Sequence, residues 1–246
     1  MSLSKVFSRL RKPRLAAEQP DPLAPELNTF DRETVATAQK SSMTSPQRLQ
    51  ALILAARHIS RRKVPGAIVE CGVWRGGSML AVARTLLDCN DAGRHLHLFD
   101  TYAGMPPPDS RDVRHVDGVA ASTLMEDPRD DHMRGFASLD VVKETMASSK
   151  YPAELIHYIV GKVEDTIPAN NPTSIAILRL DTDWYASTKH ELEHLLPLLS
   201  PGGVLIIDDY GWWEGARRAV DEHFATHPRP ILLNVIDNTG RIGVRD

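Results

Sequence analysis

Two short apolar runs, residues 174–178 and 204–207, each lead into a pair of acids: Asp181 and Asp183 after the first, Asp208 and Asp209 after the second. Continuous apolar runs of this length, bounded by turn signals, read as strands buried on both faces of a parallel sheet. In an open α/β sheet, ligands bind beyond the carboxyl ends of such strands. If the two strands are neighbours, their acids meet, and like charges at close range need protons or a cation to offset them. A site made only of carboxylate oxygens suits a hard divalent ion such as Mg²⁺.

The rest of the chain alternates in the same way. Thr44, Ser45 and Pro46 form a helix start, a hydroxyl cap with proline in the first turn. Leu49, Leu52, Ile53, Ala56 and Ile59 follow at helical spacing. Residues 67–71 predict a first strand, 79–87 a helix, and 96–99 a second strand ending at Asp100. Residues 103–135 carry Pro106, Pro107 and Pro108 among many charges, and read as a lid or binding segment rather than a plain connection. Ser138 is placed to cap a helix reaching about residue 148, and a strand is expected over 155–160. A helix is expected over 186–199, and residues 200–203 read as a tight turn into the strand that ends at Asp208. Another helix is expected over 213–225. Residues 231–235 and 240–244 read as a closing antiparallel pair. This order predicts a doubly wound α/β domain.

The first strand exits into Glu70, Cys71, Gly72, Val73, Trp74, Arg75, Gly76, Gly77 and Ser78. Glycines let a backbone come close to a ligand, and the N–H groups opening the next helix favour an anion. Asp100, ending the second strand, is placed to accept from ribose hydroxyls. The dinucleotide spacing is absent, because Gly72 is followed by Gly76 and Gly77, and there is no phosphate-loop lysine. S-adenosylmethionine is then the expected nucleoside ligand. Its carboxylate is assigned to Ser78 and the adjoining turn, its ribose to Asp100, and its adenine amino group to Glu164 or Asp165. Tyr102 or the lid would cover it, and Thr101 is counted with the cofactor-binding residues. Glu70 either contacts the cofactor or braces the turn.

Bulk properties narrow the function classes. A net charge of −3 makes no case for nucleic-acid binding, and no apolar run reaches the length of a membrane span. Two cysteines, Cys71 and Cys89, form no disulfide framework and fit a reducing, cytoplasmic setting. Lys5, Arg9, Arg11, Lys12 and Arg14 make the first residues basic, but no continuous apolar core follows, so no signal peptide is expected. Pro20, Pro22 and Pro25 then mark a linker. The expected division is an arm and linker over 1–42 and one domain over 43–246.

Collinear stretches at 43–46, 69–78, 99–107, 163–166, 180–188 and 201–224 resemble the macrocin O-methyltransferase family, which includes sugar O-methyltransferases of macrolide and aminocoumarin biosynthesis. The resemblance covers nearly everything from Met43 to Val244. It implies a class I methyltransferase fold, with a seven-stranded sheet whose last strand is antiparallel, and dependence on S-adenosylmethionine and Mg²⁺. Carried over, Asp181, Asp208 and Asp209 correspond to metal ligands and Asp183 to the general base. Met43 and Thr44 correspond to cofactor contacts. The expected acceptor is a hydroxyl of a sugar or sugar-bearing metabolite, with a catechol-like phenol or a non-catalytic cofactor-binding role as alternatives. The detached arm also makes a homo-oligomer plausible. Trp212 and Trp213 stand as either pocket lining or core, and His115 and His132 as solvated lid residues.

Overall fold

Seven strands lie in the order β3-β2-β1-β4-β5-β7-β6 in a computed structural model describing residues 21–127, 134–226 and 231–246. They are β1 (Ala67–Cys71), β2 (Leu96–Asp100), β3 (Ile156–Val160), β4 (Ile175–Leu180), β5 (Leu199–Ile207), β6 (Asn234–Val235) and β7 (Arg241–Val244). The first five pair in parallel, while β7 runs antiparallel to both β5 and β6. This is the topology that the resemblance implies. The basic residues Lys5, Arg9, Arg11, Lys12 and Arg14, together with Pro20 and His132, lie outside the described residues.

Strand alternation sends the apolar side chains to two cores. Ile68, Leu96, Leu98, Ile177, Val204 and Ile206 face α2 (Pro46–Arg62), α3 (Gly77–Asp88) and α5 (Leu139–Ser148). Val69, Phe99, Leu178, Leu205 and Ile207 face α7 (Tyr185–His194) and α8 (Glu214–Thr226). Each fully buried aliphatic side chain contributes about 1.5–3 kcal/mol. Both sheet faces are therefore closed, and ligand access falls to the strand ends.

Local chemistry sets the element bounds. Ser45 caps α2, accepting from Arg48 N at 3.1 Å, and Pro46 occupies the first turn. Ser138 stands at the cap position of α5, but its side chain makes no capping hydrogen bond. The helix expected over 186–199 ends at His194. Leu196–Leu198 is a 3₁₀ turn holding Pro197, which has no N–H to continue the α-helical ladder. The turn expected at 200–203 lies inside β5 as a bulge, since Leu199 pairs with Ile175 but Val204 pairs with Ile177.

Ahead of the first expected helix, α1 (Thr29–Ala38) buries Val35 and Ala38 against Leu49, Ile53 and Ala81. Its Asp31 pairs with Arg57 of α2 at 2.5 Å. The segment 29–38 is thus a helical arm packed onto the domain. Between β2 and α5, α4 (Ala121–Glu126) follows a small loop closed by a bridge between Val113 and Ala120.

Candidate active site

The turn after β1 is shaped by a close backbone approach. Gly72 has φ +84°, and a Cβ there would lie 2.0 Å from the Asp181 carbonyl oxygen. Only glycine fits, and the reason is strand packing. Asp181 N donates to Cys71 O at 2.8 Å, which ties the ends of β1 and β4 together. Asp100 then orders the turn itself. Its Oδ2 accepts from Val73 N at 2.7 Å and Trp74 N at 3.0 Å, and its Oδ1 accepts from Tyr102 N at 2.7 Å. A carboxylate offers about four lone-pair sites, and Thr101 Oγ1 also lies 3.5 Å from Oδ1.

A cavity of about 930 Å³ opens over these strand ends. Of the residues expected to bind the cofactor, Met43, Thr44, Gly72, Trp74, Ser78, Asp100, Thr101, Glu164 and Asp165 line it. Glu164 and Asp165 sit in α6 (Val163–Thr166).

The other five do not line it, each for a physical reason. Glu70 is fully buried and pairs with Arg179 at 2.7 Å, so it braces the sheet. Arg75 turns outward, with its guanidinium 4.9 Å from the Trp74 ring centroid. Gly76 supplies the left-handed cap of α3 at φ +83°. Gly77 packs beneath the N-terminal segment, where a Cβ would meet the Ala38 and Ser41 carbonyls at 2.5 Å. Tyr102 is buried and donates its hydroxyl to Leu98 O at 3.0 Å.

The carboxylates meet at the ends of β4 and β5. Leu180 pairs with Ile207, and Asp208 N donates to Leu180 O at 2.9 Å. Asp181, Asp208 and Asp209 each offer an oxygen, all within 4.8 Å of one another. This donor set fits a hard divalent cation.

Two arginines that the sequence reading passed over share the cluster. Arg179 Nη1 is 2.8 Å from Asp181, and its Nη2 is 2.7 Å from Asp208 Oδ1, an ion pair without hydrogen-bond alignment. Arg48 reaches Asp208 Oδ2 from α2 and holds Asp237 at 2.9 Å through its Nε. Thr44 Oγ1 donates to the same Asp208 oxygen at 3.0 Å. An arginine inside a fully buried strand was the signal for Arg179. Arg48 carried none, because its partners lie far along the chain.

These neighbours divide the acids. Burial works to raise Asp208, but Arg179 and Arg48 outweigh it and hold its carboxyl below the ordinary range. Burial pushes Asp181 and Asp209 well up, and neighbouring acids add to the effect. Asp183 is pushed up to about 7, mainly by burial. It lies at φ +69°, within hydrogen-bond reach of Asp209 and Trp213. It does not cap α7: Tyr185 N donates instead to Asp112 Oδ1 at 2.8 Å.

The far wall comes from the segment after β2. Met105, Pro106, Pro107, Asp109 and Asp112 line the cavity with Trp184, Trp212 and Trp213. Trp184 Nε1 donates to Pro106 O at 2.9 Å, which fixes the proline run in place. Trp213 is core as well as wall, whereas Trp212 stays open. His115 pairs with Glu214 away from the carboxylates.

Comparison with known proteins places this arrangement. Residues 8–242 match the model of the macrocin O-methyltransferase (TylF) family. The chain is 30% identical over 201 residues to 8-demethyl-8-(2,3-dimethoxy-alpha-L-rhamnosyl)-tetracenomycin-C 4'-O-methyltransferase of Streptomyces olivaceus, covering 81% of this chain and 73% of the relative. It is 31% identical over 204 residues to demethyldecarbamoylnovobiocin O-methyltransferase of Streptomyces niveus, covering 82% and 75%. The structure of the O-methyltransferase NovP superposes with a TM-score of 0.71 at 29% identity, covering 83% of this chain and 82% of that one. A Bacillus cereus O-methyltransferase in complex with SAH shares the fold, with a TM-score of 0.54 at 15% identity and coverage of 89% and 92%. With its class I sheet and a family match spanning nearly the whole chain, this protein belongs to the macrocin O-methyltransferase family and is an O-methyltransferase.

Proposed function

We propose that this enzyme methylates a hydroxyl of a sugar or glycosylated small molecule, using S-adenosylmethionine and a divalent cation such as Mg²⁺. The observation that carries this reading is one cavity into which the turn after β1, the end of β2 and the carboxylates of β4 and β5 all open. The SAH complex of a protein sharing the fold supports the choice of cofactor. The relatives' names, which specify sugar-bearing natural products, support the choice of acceptor.

The roles follow from placement. Gly72, Trp74, Ser78, Asp100 and Thr101, with Glu164 and Asp165, hold the cofactor along the β1–β2–β3 ends. Met43 and Thr44 close over it. Asp181, Asp208 and Asp209 hold the cation, and Arg179 and Arg48 fix the Asp208 carboxylate that they share. When bound, the cofactor supplies an electrophilic methyl group and the cation polarises the acceptor hydroxyl. Asp183 takes the hydroxyl proton, a step worth roughly 10²–10⁴-fold for a well-placed base. The walls orient the acceptor, and such positioning supplies up to about 7–11 kcal/mol in favourable systems.

Substituting Asp181→Asn tests the assignment. Calorimetry should show Mn²⁺ binding lost and SAH binding retained, with turnover abolished. Loss of SAH affinity alongside intact Mn²⁺ binding would contradict it. Product mass with glycoside and catechol acceptors tests the acceptor class, and methylation of catechols alone would replace the sugar reading.

A further inference from the structure

The carboxylate cluster divides the cavity wall by strand order. Gly72, Ser78, Asp100 and Glu164 belong to the β1–β2–β3 side, while Asp209, Trp212 and Trp213 belong to the β5 side. On that second side two adjacent tryptophans behave differently. Trp213 is 1% exposed and packs edge-on against Trp184, with ring centroids 5.1 Å apart. Trp212 is 38% exposed and lines the cavity. A large apolar ring open to a ligand cavity is the informative exception to burial.

Trp212 is also held firmly. Its N–H donates to Asp209 O at 3.0 Å, and its carbonyl accepts from His115 N at 2.8 Å. On the next residues, Trp213 bridges Arg114 and Glu214 N donates to Val113 O at 2.9 Å. The backbone carrying the ring is thus pinned to the cation-site strand on one side and to the lid segment on the other. Such preorganisation spares the ordering cost of binding.

We propose that Trp212 is the platform on which the acceptor's sugar ring lies, and that it determines acceptor specificity. This rests on the reading of a glycoside acceptor beside the carboxylates. One face of a pyranose is rich in C–H groups and matches an indole, whereas its hydroxyls project at the ring edge. A ring lying on Trp212, three residues from Asp209, directs that edge toward Asp181, Asp183 and Asp209. Asp209 and Trp212 are joined by a backbone hydrogen bond, so the platform and the cluster keep a fixed spacing.

The test uses the full chain with Mg²⁺, S-adenosylmethionine and 4-nitrophenyl α-L-rhamnopyranoside as the acceptor probe. Trp212→Ala should raise the acceptor KM by roughly 10–100-fold, the range for one lost apolar contact surface. SAH affinity by calorimetry should stay within about twofold, because the ring lies off the cofactor side. Trp212→Phe should recover most of the affinity by keeping an aromatic face. Quenching of intrinsic fluorescence by the glycoside should also shrink in Trp212→Phe. An unchanged KM in Trp212→Ala overturns the proposal, as does a parallel loss of SAH affinity, which would move the ring into the cofactor site. A wild-type enzyme that binds SAH yet ignores the glycoside defeats both the acceptor reading and this platform. A wild-type enzyme that does not bind SAH defeats the proposed function itself.

Discussion

The Asp112 carboxylate caps a helix to which it is not contiguous: Oδ1 accepts from Tyr185 N, at the start of α7, at 2.8 Å. Its other oxygen accepts from Asp109 N at 2.8 Å, and Gly215 of α8 leaves room for it. One buried side chain therefore joins the segment after β2 to both helices behind the carboxylate cluster. It also fixes the start of α7 two residues from Asp183.

Asp112→Ala should cost about 1–3 kcal/mol, because buried donors lose their acceptor. That corresponds to a fall in Tm of roughly 2–12 °C for a chain of this size. The acceptor KM should rise with it, since Pro106, Pro107 and Asp109 ride on the same segment. Asp112→Asn keeps an acceptor oxygen and should lose less. Thermal melts and steady-state kinetics on both variants check this. An alanine variant with unaltered Tm and KM would remove Asp112 from this role.

Arg179 compensates Glu70, Asp181 and Asp208 from a position 4% exposed. Arg179→Met leaves buried carboxylates unpaired, a change that costs about 3–5 kcal/mol. Added Mn²⁺ should recover part of the loss by supplying the missing positive charge to Asp181 and Asp208. Urea unfolding of wild type and variant, with and without Mn²⁺, measures both effects. A variant as stable as wild type in the absence of metal would show that the acids need no fixed counter-charge.

Stability should also respond to pH at the opposite end of the sheet. His97 packs against His157 with the rings tilted and centroids 4.6 Å apart, and His95 Nδ1 lies 2.7 Å from His157 Nε2. Burial, then His157 and His95, push His97 down to about 4, and burial lowers His157 as well. The unfolded chain therefore takes up protons first as pH falls. This contribution is complete above the ordinary histidine value near 6.5 and declines as pH drops toward about 4. The buried acids with raised pKa act in the opposite direction, so the informative quantity is the difference between wild type and His97→Gln. The denaturant midpoint at pH 5, relative to that at pH 7.5, should be higher in the variant than in wild type. Equal pH dependence in the two proteins would rule out His97 as the source.

The central strands β1 and β4 were legible because they are mostly apolar and buried throughout, and the α2 start because Ser45 and Pro46 carry local cap chemistry. The acids of β4 and β5 were legible once those strands were taken as neighbours. What stayed hidden depends on approach through space. Arg48 meets Asp208 across 160 positions, and Asp112 meets Tyr185 across 73. No periodicity encodes such pairs. Pro197 did signal the early end of α7, but the apolar spacing running past it read as continued helix. Gly77 looked like a ligand-facing glycine, yet it is required by neighbouring backbone, and Gly72 lines the cavity but is fixed by the Asp181 backbone as well, which composition does not display.

The contact between Gly72 and Asp181 limits how this enzyme can change. With room for only a hydrogen atom there, the cofactor turn cannot shift without displacing the first acid of the cluster. The two halves of the chemistry are welded, and sequence change in either is held in check by the other. The segment after β2 meets the cluster through side chains and exchangeable backbone bonds instead. Side chains of that segment can therefore change without moving the turn or Asp181.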